Sequence, residues 1–196
     1  MSTSEQILLP SNSILRVCDA LDDTIERFLQ RTARLVTGRY EADVEARLIF
    51  ILGIRHVEGV IALARRDLVL LPAAYHLARA AFECCVRAAW LVNEENPMKR
   101  EARWVAHLDG EISAIRRSSD RLGSAGTNVD QARARGRQLK QFRDNLARAL
   151  QDRGVPLLKQ IPNFEQMLSS IAGDHLYSIY IEASQYTHGG HAATWL

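Results

Sequence analysis

The chain has 196 residues, 47% hydrophobic and 24% charged, with a net charge of +2 and only five prolines. Those figures exclude a disordered or fibrous chain and fit one globular domain, which this length can stabilise through its own core. A balance so near neutrality neither requires nor excludes a nucleic-acid partner, so the distribution of charge carries the information.

Cys18, Cys84 and Cys85 sit in apolar helical patterns without the spacing of a disulfide framework or a zinc cage, so reduced thiols and a cytoplasmic location are expected. The segment up to Pro10 lacks the basic stretch that precedes the apolar run of a secretory signal, and residues 1–10 are expected to be flexible. The most apolar helical run, 48–64, is broken by Arg55, His56 and Glu58, which argues against a membrane span.

Ser11 or Ser13 can cap a first helix whose face is Ile14, Val17, Leu21, Ile25, Phe28, Thr32 and Leu35, ended by Gly38. A second helix runs from Glu41 to Arg66, with Gly53 and Gly59 leaving room for a close neighbour. Pro72 opens a third, which reaches about Asn93. From Pro97 a fourth turns Ala102, Val105, Leu108, Ile112 and Ile115 inward, and residues 119–128, containing Gly123 and Gly126, are expected to form a mobile loop. Asn128 with Gln131 resembles a capping pair for a fifth helix, whose inward stripe includes Ala132, Leu139, Phe142, Leu146 and Leu150 before Gly154 and Pro156 stop it. Pro162 starts a short helix through Leu168, and Asp174 can cap a last one from His175 to about His188, where Gly189 and Gly190 end it. Neither a strand pattern nor a repeat of fixed period is present. The expected fold is an all-α antiparallel bundle of six to seven helices in a single domain, 1–196.

The third helix is apolar nearly all round, yet Arg79, Glu83 and Arg87 lie four residues apart on one stripe. Charges on such a helix need polar partners. On the last helix Tyr177, Ile181, Ser184 and His188 share a stripe, with Leu176, Ile179, Tyr180 and Ala183 on the adjoining face. If the two helices pack together, Ser184 and His188 can meet Arg79 and Glu83. One reading makes this a catalytic centre, with Glu83 and His188 moving protons and Arg79, Ser184 and Arg87 binding an anionic substrate. The other makes it a brace that fixes packing without chemistry.

No cofactor or metal is expected. His188-Gly-Gly-His191, with His175 upstream, lacks the rigid i, i+4 display of a metalloprotease helix. Ser184 has no G-x-S-x-G elbow, Cys84 and Cys85 read as packing residues, and Gly123 to Gly126 lacks the lysine and the preceding strand of a phosphate loop. Between Arg116 and Arg153 basic residues outnumber acidic ones, and Arg133, Arg137 and Lys140 lie along one helix face. A solvated face and a phosphate-binding surface both fit that pattern.

Arg79-Ala-Ala-Phe-Glu83, followed by Ser184-Gln-Tyr-Thr-His188-Gly189, resembles an uncharacterised family of helical bacterial proteins with an Arg-x3-Glu element and a C-terminal Ser-x3-His-Gly element. The resemblance covers mainly residues 70–110 and 174–190. More loosely, the chain is similar to HEPN-like and abortive-infection bundles, many of which are toxins or phage-defence proteins that cleave RNA as dimers. That likeness implies a homodimer and a defence or toxin-like activity on RNA or a nucleotide. The HEPN signature, Arg and then His after four to six residues, is matched by Arg100 and His107, with Glu101 where an amide or aspartate is usual. The alternative expectation is a non-catalytic interaction or regulatory module with a protein partner.

Overall fold

The computed structural model describes residues 9–32, 39–67 and 71–187. Seven α-helices run through them: α1 Asn12–Thr32, α2 Glu41–Arg66, α3 Leu71–Val92, α4 Pro97–Ser124, α5 Asp130–Gln151, α6 Phe164–Ser170 and α7 Tyr177–Thr187, with a 3-10 turn at Asp174–Leu176. There is no strand among the described residues, and the chain is an all-α bundle as the periodicity requires. Leu35, Gly38, His188, Gly189, Gly190 and His191 lie outside the described residues. No helix among the described residues is long and apolar enough to cross a membrane.

Local chemistry sets several of the helix starts. Ser11 Oγ accepts from the Ile14 N–H at 3.4 Å, and Asn96 accepts from Met98 at 2.9 Å with Pro97 in the first turn. Asn163 and Gln166 form a reciprocal capping box that opens α6 just after Pro162. The 119–128 segment departs from expectation. Helix α4 continues through Ser124, because Ser119 is buried and Gly123 lets Val129 and Arg133 approach where a side chain would stand. The chain turns only afterwards, through Gly126 at φ 80°.

Helices α1 and α2, α2 and α3, and α4 and α5 pair as antiparallel neighbours. Arg65 near the end of α2 meets Asp19 and Asp22 of α1 at 2.6 and 2.5 Å, while Phe28 packs on Phe50 at 4.8 Å. At the α2–α3 crossing a Cβ on Gly53 would lie 3.2 Å from Cys84 Cβ, and one on Gly59 would touch Leu77. The main core gathers Ala42, Ala46, Val86, Trp90, Leu91, Trp104, Leu108, Met167 and Leu168. A smaller cluster of Ala102, Val105, Ala147 and Leu150 joins α4 to α5. Beyond Leu108 the only buried residue of α4 is Ser119. The outer halves of α4 and α5 therefore form a two-helix arm, open on its remaining faces.

Candidate functional site

The sequence stripe on α3 places Arg79, Glu83 and Arg87 in one row, and the structure joins them. Arg79 Nε donates to Glu83 Oε1 at 3.0 Å, and Arg87 Nη2 lies 3.7 Å from Glu83 Oε2. Glu83 thus sits between two guanidiniums, with side-chain exposures of 17% for Arg79, 26% for Glu83 and 41% for Arg87. The row lies at the edge of the core and is not sealed within it.

Helix α7 does pack on α3, and Tyr180 meets Arg79 there. Arg79 Nη2 donates to its phenol oxygen at 3.3 Å, and the guanidinium lies 5.2 Å from the ring centroid. Tyr180 in turn stacks on Phe164 at 4.1 Å, and Phe164 meets Phe82 of α3 edge-on at 5.7 Å. Burial disfavours the charged form of Arg79, yet the bonds to Glu83 and Tyr180 outweigh it and hold the guanidinium above its usual proton affinity. Ser184, expected to face the charges, donates its hydroxyl to the Tyr180 carbonyl at 2.7 Å, a bond within its own helix. Ile181, placed on the inward stripe from sequence, is 42% exposed. His188, the other half of the expected acid/base pair, is outside the described residues.

Tyr180 was missed because the stripe through Tyr177, Ser184 and His188 drew the inward face one residue off. It stands one turn before Ser184, on the side that α6 also covers, and that neighbour cannot be read from periodicity. The thiols of Cys84 and Cys85 are pushed up in pKa, mainly by burial, which agrees with packing rather than nucleophilic roles. Among the described residues no three His, Cys, Asp or Glu side chains converge as a metal site needs.

Arg100 docks α4 on α2, and His107 is buried on the inward face of α4. Arg100 grips Asp43 of α2 through two bonds of 2.7 and 3.0 Å and donates to the carbonyls of Glu94 and Glu95. His107 is 7% exposed and stacks on Trp104 at 5.1 Å, and its Nδ1 has no hydrogen-bond partner among the described residues. Burial lowers its pKa. Glu101, between them, reaches back to the start of α2, where Oε1 accepts from the Ala42 N–H at 2.9 Å. Nothing in its local pattern announced a cap 59 residues away.

On the arm the expected charge excess is laid out in space. Arg116 pairs with Asp120 at 3.9 Å and Lys140 with Asp144 at 2.6 Å. Arg117, Arg121, Arg133, Arg135 and Arg137 are exposed and have no ion pair among the described residues. Phe142, expected inward, is 41% exposed, because α4 covers only one side of α5 there.

Residues 46–196 match the model of a family of unknown function, DUF5677, and the chain belongs to that family. The match takes in α3 to α7 and leaves α1 outside it. Neither a curated protein nor a solved structure matches the chain.

Proposed function

We propose that this protein is a non-catalytic helical interaction module that engages a polyanion, RNA in the first instance, through the α4–α5 arm. The observation that carries this reading is the set of five arginines, Arg117, Arg121, Arg133, Arg135 and Arg137, exposed on a two-helix projection without carboxylate partners among the described residues. By contrast Arg65, Arg79, Arg100, Arg103 and Arg143, which face other helices or loops of the bundle, each meet a carboxylate. Unpaired guanidiniums keep their charge and donors for phosphate oxygens.

The polar row on α3 supports the same reading from the other side. Arg79 spends donors on Glu83 and Tyr180, and Ser184 on its own helix, which is the work of a brace between α3 and α7. The HEPN-like pair is likewise spent on the fold, Arg100 on Asp43 and His107 in the core. A toxin or phage-defence ribonuclease would need those groups at an open site. The proposal includes a homodimer, for which Val17, Leu48 and Leu52, 59%, 54% and 50% exposed, offer apolar surface; sedimentation equilibrium reads it directly.

The test is anisotropy of a labelled single-stranded RNA titrated with the full chain at several salt concentrations. Five phosphate contacts predict a log–log salt slope of about −3.5. Arg133→Glu with Arg137→Glu, with the fold checked by circular dichroism, should abolish binding, since both side chains are exposed. RNA that stays free at low salt, or that binds the double variant equally well, would sink the proposal.

A further inference from the structure

The start of α2 carries a polar group that the fold leaves incomplete. Tyr40, its N-cap, makes no side-chain bond to the helix. Glu101 caps it from α4 instead, through Oε1. Only 3% of Glu101 is exposed, and its second oxygen, Oε2, is buried with no hydrogen-bond partner among the described residues. The Glu41 N–H, like that of Ala42, favours the charged carboxylate, yet Oε2 makes no hydrogen bond among the described residues, and buried acceptors without donors are rare and costly.

Glu101 also lines a groove of about 430 Å³ between the start of α2 and the α4–α5 hairpin, within the size range of small-ligand clefts. Met98 and Leu150 give it apolar walls and Tyr40 an aromatic one, and Arg39 and Arg153 line it as well. The bond seen for Arg153 is a weak one to Met98 Sδ at 3.7 Å. Burial first, then the neighbouring carboxylates Glu41 and Asp43, raise the proton affinity of Glu101, and a cation set against Oε2 would relieve that field. The groove therefore offers an anionic acceptor, an apolar surface and two guanidiniums.

We propose that this groove binds a free amino acid with a large apolar side chain, its ammonium on Glu101 Oε2, its carboxylate on Arg39 and Arg153, and its side chain against Met98, Leu150 and Tyr40. A simple anion would satisfy the arginines and leave Oε2 unpaired, whereas a zwitterion answers both signs. The site is separate from the arm and does not rest on the RNA reading.

Isothermal titration of the full chain with L-phenylalanine, L-phenylalanine amide and 3-phenylpropionate tests each end of the ligand in turn. L-phenylalanine should bind, and each analogue, lacking one charge, should bind at least about tenfold more weakly. Arg153→Glu, at an exposed position, should cost about the same factor, and Arg133→Glu with Arg137→Glu should change nothing. Glu101→Gln, with its helix content checked by circular dichroism, should also lose binding. No heat from L-phenylalanine at millimolar concentration, equal binding of 3-phenylpropionate, or indifference to Arg153→Glu would each overturn the proposal.

Discussion

Replacing Tyr180 with Phe isolates one contact between α7 and α3. The change deletes the bond from Arg79 Nη2 at 3.3 Å and keeps both the stack on Phe164 at 4.1 Å and the ring beside the guanidinium. A well-formed hydrogen bond to a charged group contributes about 1.5–3 kcal/mol. This one is long, and the Arg79 side chain keeps 17% of its exposure, so a loss of about 1 kcal/mol is expected. For a domain of this size that is about 2–4 °C in Tm. Tyr180→Ala also removes the aromatic stack and should cost about 2–3 kcal/mol.

Urea denaturation followed by circular dichroism measures both values. Combined with Glu83→Gln in a double-mutant cycle, Tyr180→Phe should show a coupling of about 0.5 kcal/mol or more, because both substitutions act on one guanidinium. RNA affinity should not change, since neither residue lies on the arm. A Tyr180→Phe protein with a wild-type midpoint and a strictly additive cycle would refute the brace.

Other regions give predictions of their own. Asp43→Asn breaks the two-point grip of Arg100 at side-chain exposures of 17% and 23%, and should cost about 1–2 kcal/mol in the same assay; a neutral result would mean that the pair does not dock α2 onto α4. His107 has its pKa lowered from 6.5 by burial, so its contribution is present above the unfolded value and is lost as pH falls through the folded one. Wild type should therefore lose more Tm than His107→Phe between about pH 7.5 and 5, and parallel pH profiles would contradict this. Gly53→Ala should be less stable than Gly59→Ala. The new methyl on residue 53 meets Cys84 Cβ at 3.2 Å and the Ala81 carbonyl at 3.4 Å, whereas on residue 59 it meets the movable tip of Leu77. Each gains about 1 kcal/mol of helix propensity, so the difference reads the cost of tight packing.

The helices were legible because their causes are local. Pro97 after Asn96, the apolar spacing of Ile14, Leu21 and Ile25, and the breaks at Gly154 and Pro156 act within a few residues of the structure they determine. The row of Arg79, Glu83 and Arg87 was legible for the same reason, since i, i+4 spacing places side chains on one helix face. The 119–124 stretch was misread as loop because glycine weakens an isolated helix, while here Gly123 is the small residue that lets α5 lie against α4.

What the chain's order of residues settled unaided was its helical class, the bounds of most helices and the charged row on α3, all consequences of periodicity and capping. Only the folded arrangement decided that Tyr180 is a partner of Arg79, that Glu101 caps a helix 59 residues earlier, and that five arginines of the arm find no carboxylate among the described residues. Those outcomes depend on how helices cross and how far they slide along one another. Crossing and sliding are set by side chains interlocking between segments distant in sequence, and periodicity within one helix does not encode them.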